Sequence, residues 1–168
     1  MCSSDLARRG GWGRAPRFPQ PMTIELLLRE HARTGDGRAL AMATGALDAI
    51  AAGGIYDHLG GGIARYATDD AWLVPHFEKM LYDNAQLARV AVLAWRRTGT
   101  PRYAEVVHET LGWIERELRI PADGAFAASL DADTDGEEGA TYVWSATEID
   151  ALLGPDEPLV AAAYGVTP

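Results

Sequence analysis

Stretches of helical periodicity, each closed by glycine or proline, constrain this chain more than any other feature. From Asp36 to Ala52, Leu40, Ala43, Leu47 and Ile50 recur at three-to-four spacing, with Asp36 placed to cap the start and Gly53–Gly54 to end it. The preceding segment, TIELLLREHARTG, has Thr23 as N-cap, Glu25 in the first turn, Ile24, Leu27 and Leu28 on one face and Gly35 as stop. Pro75 is expected to open a third helix to about Arg97, with Met80, Leu87, Ala91 and Trp95 as its stripe and Gly99 as its end. Thr100 and Pro101 then supply an N-cap and first position for a fourth, which carries Tyr103, Val107, Thr110, Ile114 and Leu118 inward and stops before Pro121.

From Asp123 the period changes. AFAASLD, the acidic turn DTDGEEG and ATYVW read as two short strands in a hairpin. Ser145 and Glu148 form a capping box for a helix ending at Gly154, and Glu157 to Tyr164 reads as one more. The expected class is therefore mainly α, an array of helical hairpins with a short β-hairpin.

With 168 residues, 48% of them hydrophobic, the chain can bury the core of one domain. A net charge of -9 with scattered basic residues argues against nucleic acid, which needs a Lys/Arg patch. No apolar run is long enough to span a bilayer and no signal-peptide pattern opens the chain, so a soluble, cytoplasmic protein without a membrane partner is expected. The one cysteine, Cys2, leaves no disulfide framework or CxxC pair. Its surroundings, Cys-Ser-Ser-Asp-Leu, are what a common sequencing-adapter end encodes. Residues 1–9 are accordingly read as a non-native or disordered leader, with the natural polypeptide starting near Ala7.

The chemistry concentrates in GGIYDHLGGGIARYATDDAWLVPHFEKMLYDNAQ, residues 53–86. On a helix opened by Pro75, His76, Lys79 and Asp83 would project from one side, as a site wall or as a polar first turn with a surface Lys79–Asp83 pair; Glu78 there is also explained by the helix dipole. Gly60, Gly61 and Gly62 permit positive φ and close backbone approach, yet the GK[ST] ending of a phosphate loop is missing. Asp57 and His58 could act as general acid and base, or His58 could orient the loop. Without HExxH or paired cysteines, neither a metal nor a cofactor is expected. Asp131, Asp133, Asp135 and Gly136 match the first half of an EF-hand loop, but Tyr142 stands where the bidentate glutamate belongs, which leaves a solvated acidic hairpin as the alternative. Asp131 and Asp133, alternate residues on one expected strand, would face the same side and could divide acid and base duties as in glycoside chemistry. Trp72, Trp144, Tyr56 and Tyr66, if exposed, would stack on sugar rings; in a helical domain they could equally be core.

Three segments carry a resemblance: GGWGRAPRFPQP (residues 10–21), GGIYDHLGGGIARYATDDAWLVPHFEKMLYDNAQL (53–87) and SLDADTDGEEGATYVW (129–144). Together they resemble the DUF255 or YyaL-type family of spermatogenesis-associated, thioredoxin domain-containing proteins. The resemblance implies an N-terminal thioredoxin-like domain followed by an α/α toroid similar to the N-acylglucosamine 2-epimerase and six-hairpin glycosidase superfamily. Residues 10–168 would then be the N-terminal part of that toroid, truncated at its C-terminal side, and any redox role would rest with the thioredoxin-like partner domain. Ala64 stands where relatives often place a histidine.

In such toroids the loops at one end line a central cleft. The expected site takes a sugar-like small molecule, with His58, His76, Asp131 and Asp133 as candidate catalytic groups and Asp57, Arg65, Tyr66, Trp72, Glu78 and Asp83 as candidate binding groups. The expected activity is a sugar epimerase, isomerase or glycosidase-like reaction. The alternatives are a non-catalytic module serving the thioredoxin-like domain, or a fragment whose helix faces lack partners.

Overall fold

The computed structural model describes residues 10–167; the expected leader, with Cys2, lies outside the described residues. The chain divides into two compact units, one reaching Ala132 and one spanning Asp133–Pro168.

In the first unit, helices α1 (Pro21–Thr34) and α2 (Gly37–Ala52) form one hairpin, and α3 (Leu81–Thr98) and α4 (Pro101–Trp113) form another. The turns follow from their residues. Gly35 and Gly99 close α1 and α3 in the left-handed conformation, and the Asp36 carboxylate accepts the Arg38 N–H at 2.8 Å to cap α2. Helix α1 starts two residues before the expected Thr23, because Pro21 at its first position needs no N–H partner.

The two hairpins meet through α1 against α3. Ile24, Leu47, Ile50, Leu87, Val90 and Ala91 form the center of the shared core, each at most 2% exposed. Full burial of each larger aliphatic chain contributes roughly 1.5–3 kcal/mol. Trp95, expected on the inner stripe of α3, is 45% exposed instead. Beyond α4 a π-helical turn, Ile114–Leu118, buries Ile114 and Leu118 with Trp113 in a second cluster.

The expected helix from Pro75 does not form. Residues 75–80 are extended: β1 (Tyr66–Ala67) pairs antiparallel with β2 (Pro75–His76), and β3 (Lys79–Met80) pairs antiparallel with β4 (Ser129–Leu130). Tertiary pairing satisfies this backbone, including Arg65 N–H to Glu78 O at 2.8 Å, and the helix begins only at Leu81. The expected hairpin is also rearranged. AFAASLD gives its strand to β3, and ATYVW forms none.

In the second unit, β5 (Asp133–Thr134) and β6 (Glu137–Glu138) pair within the acidic turn itself. Helix α5 (Ala146–Leu153) carries the expected capping box, with Ser145 N–H donating to Glu148 at 2.8 Å and Glu148 N–H to Ser145 Oγ at 3.2 Å. A short 3-10 turn then leads into α6 (Glu157–Tyr164).

Candidate functional site

The glycine loop after α2 is pinned from beneath. The Asp57 carboxylate accepts the N–H groups of Leu59 at 3.0 Å and Gly60 at 2.7 Å, an Asx-type turn. Gly61 and Gly62 follow at φ +82° and +80°, and a Cβ at Gly61 would collide with the Glu109 carbonyl. Lys79, 3% exposed, donates to Asp57 Oδ2 at 2.7 Å and to the Gly61 carbonyl at 3.1 Å, with the Trp113 ring 5.1 Å away. Burial pushes the Asp57 carboxyl up, but hydrogen bonds from Lys79 and the Gly60 N–H win and hold it below the usual range. Asn84, fully buried, accepts the Ile63 N–H at 2.7 Å and donates to the Ile63 and Met80 carbonyls at 3.0 and 2.9 Å. Asp57, Lys79 and Asn84 therefore shape the loop.

The extended backbone at 75–80 sorts its side chains by alternation. Lys79 turns inward to Asp57, whereas His76 and Glu78 take the other side. This corrects the expected helical face, which put His76 and Lys79 together and paired Lys79 with Asp83. His76 stacks on Tyr66 with ring centroids 4.8 Å apart, and the Phe18 ring is tilted against Tyr66 with centroids 4.9 Å apart. Glu78 accepts from Arg65 at 2.9 Å, and His76 Nε2 is 3.8 Å from the same carboxylate oxygen. Asp83, in the first turn of α3, completes the group. Burial raises its carboxyl to about 6, with Glu78 adding to the rise and Arg65 and the Tyr82 hydroxyl opposing it. Among the described residues, two buried atoms here have no hydrogen-bond partner, the donor Arg65 Nε and the acceptor Asp83 Oδ2.

Arg65, Tyr66, His76, Glu78 and Asp83 are thus brought together from the ten expected positions. Phe18 and Tyr82, absent from that expectation, join them. Tyr82 follows from where α3 starts, and Phe18 from the pairing of Arg17 with Ala67, N–H to carbonyl at 2.8 and 2.9 Å.

The other expected residues lie elsewhere. His58 is exposed, donates Nε2–H to the Gly53 carbonyl at 3.0 Å and meets the Tyr56 ring edge-on at 5.4 Å. Trp72 is 2% exposed, donates to the Gly10 carbonyl at 3.2 Å and lies under the Arg17 guanidinium, so it offers no face for stacking. Tyr56, 1% exposed and hydrogen-bonded to Glu109, is core as well. Asp131 and Asp133 do not share a strand: the ladder ends at Leu130, Ala132 is buried, and Asp133 starts β5 in the second unit. Asp131 directly follows β4 as Glu78 directly precedes β3, so the antiparallel register puts both at one end of that ladder. Trp144, in the second unit, is 50% exposed. Ala64 is buried and donates its N–H to the Ile55 carbonyl at 2.8 Å. Among the described residues no group of three or more His, Cys, Asp and Glu side chains is placed to hold a metal, and no helix is long and apolar enough to cross a membrane.

No family model matches the chain. Among solved structures, it is similar to a D-mannose isomerase (TM-score 0.57, 20% identity, 71% of this chain and 30% of that one). A sugar epimerase from a ruminal bacterium gives a TM-score of 0.60 at 16% identity, over 79% of this chain and 35% of that one. An inactive variant of an alpha-1,6-mannanase of Salegentibacter, in complex with alpha-1,6-mannotriose, gives 0.58 at 18% identity, over 90% of this chain and 47% of that one. The fold is accordingly that of part of an α/α toroid. In sequence, the chain is 42% identical over 168 residues to spermatogenesis-associated protein 20 of Mus musculus, spanning 94% of this chain and 21% of that protein. The Homo sapiens protein is 41% identical, over 94% of this chain and 22% of its own length. The chain thus spans about a fifth of the length of these relatives, and over that segment it belongs to the spermatogenesis-associated protein 20 family.

Proposed function

We propose that this segment supplies one wall of a sugar-binding cleft in an α/α toroid, and that the toroid of the longer protein acts on its sugar as an epimerase, isomerase or glycosidase-like enzyme. One observation carries the reading: a stacked aromatic pair, Tyr66 and His76, adjoins an Arg65–Glu78 ion pair and the half-buried Asp83 carboxyl. Aromatic faces take the apolar side of a pyranose, and guanidinium and carboxylate groups take its hydroxyls. Asp83, with its proton held up to about 6, can both give and accept a proton near neutral pH. The sugar enzymes that share this fold support the reading by analogy.

A second reading is a binding module without catalysis, accompanying a thioredoxin-like domain. It is favored by His58 and His76 having separate partners and by Asp131 and Asp133 not sharing a strand. A thermal-shift screen of the protein from its complete reading frame, against neutral, amino and phosphorylated sugars, tests the first reading. A ligand should raise Tm in the parent and leave His76→Ala unshifted. A sugar that shifts both equally places binding elsewhere. Turnover of the binding sugar would separate enzyme from module.

A further inference from the structure

The charges in the 65–83 cluster set which sugars it can take. Its cation, Arg65, already bonds Glu78 at 2.9 Å. The neighboring lysine, Lys79, is turned to the opposite side and bonded to Asp57 at 2.7 Å and Gly61 at 3.1 Å. Against one guanidinium stand two carboxyl groups, Glu78 and Asp83, with Asp131 at the Glu78 end of the β3–β4 ladder. A phosphate or carboxylate entering here would have to displace Glu78 from Arg65 and shed water beside like charge.

A hydroxyl meets no such obstacle. The Tyr82 hydroxyl already lies against both the Arg65 guanidinium and the Asp83 carboxyl, while among the described residues the buried donor Arg65 Nε and acceptor Asp83 Oδ2 have no hydrogen-bond partner. A sugar hydroxyl can accept from a guanidinium and donate to a carboxylate without a net charge to desolvate, as the Tyr82 hydroxyl does beside these two groups. The Arg65 side chain is 40% exposed, so part of its guanidinium is open to a ligand. An ammonium would gain Glu78 or Asp83 as counter-ion.

From this we infer that the cluster selects neutral and amino sugars and rejects phosphorylated and carboxylated ones. The inference rests on the sugar-cleft reading and deepens it.

The test is calorimetric titration of the complete protein at pH 7.5 with matched sets built on glucose and on mannose: the hexose, its 2-amino form, its 6-phosphate and its uronic acid. The expected result is binding of the neutral and amino members, with the two anionic members at least about tenfold weaker. Glu78→Gln should narrow that gap by weakening the amino sugar and strengthening the phosphate. An anionic member binding as tightly as its neutral parent overturns the selectivity while leaving the sugar cleft standing. If no member binds, the sugar cleft itself fails and the selectivity with it. The parent protein's charge series decides the matter even if the variant does not fold.

Discussion

Lys79 and Asp57, distant in sequence, form an ion pair of 2.7 Å whose side chains are 4% and 20% exposed. The pair ties the glycine loop to the strand that carries Glu78, linking the shape of the loop to the placement of the candidate site. Lys79→Met leaves the Asp57 carboxylate without its counter-charge and should cost about 3 kcal/mol of stability by urea denaturation. Adding Asp57→Asn, which keeps an acceptor for the Leu59 and Gly60 N–H groups, should recover part of that loss. A double variant as unstable as the sum of the singles would show the pair to be uncoupled.

Asp83 gives a stability signature of the opposite sign to an ordinary salt-bridged carboxylate. Its folded value, about 6, lies above the ordinary 3.8, so the folded state holds this proton more tightly than the unfolded chain. Stability from this group is present at low pH and is lost as pH rises through about 6. Burial is the main cause of that value, with Glu78 adding to the rise and Arg65 and Tyr82 opposing it. Asp83→Asn should therefore raise Tm at pH 7.5, and the gain should shrink as pH falls toward 4. A Tm difference independent of pH would contradict the assignment.

Gly61→Ala tests the loop geometry. At φ +82° an alanine is strained, and its methyl group would meet the Glu109 carbonyl. A loss of about 1–3 kcal/mol is expected in denaturant midpoints. Gly112→Ala, on α4 with no heavy atom near the added methyl, should be neutral or stabilizing.

Asn84 makes three hydrogen bonds inside the core, two of them as donor. Asn84→Asp removes the donors to the Ile63 and Met80 carbonyls and buries a charge. It should destabilize by at least about 2 kcal/mol at pH 7, and less at pH 4, where the new carboxyl can be protonated. Equal losses at both pH values would argue against a buried site.

Local signals made much of the fold legible in the sequence. Asp36 with Gly53 bounds α2, and Ser145 with Glu148 starts α5, because caps act within a few residues. Pro75 misled, since proline suits the first position of a helix as well as a strand; what decides is pairing with Tyr66–Ala67, which no local window contains. The same holds for Ser129–Leu130, whose partner is Lys79–Met80. One hint was present: the Asp69 carboxylate accepts the N–H groups of Ala71, Leu73 and Val74, the kind of turn that joins two strands. Read that way, Thr68-Asp69-Asp70 announces a hairpin and places His76 opposite Tyr66. Loop aromatics gave no such guide, because Trp72 and Tyr56 fill the core while Tyr66 borders the candidate site.

The most direct test of the central claim is a crystal structure of the complete protein with its best-binding sugar. The expected result is a sugar ring against the Tyr66–His76 stack, within hydrogen-bond distance of Arg65 and Glu78. A sugar bound elsewhere, or another part of the chain packed over these four side chains, would contradict it.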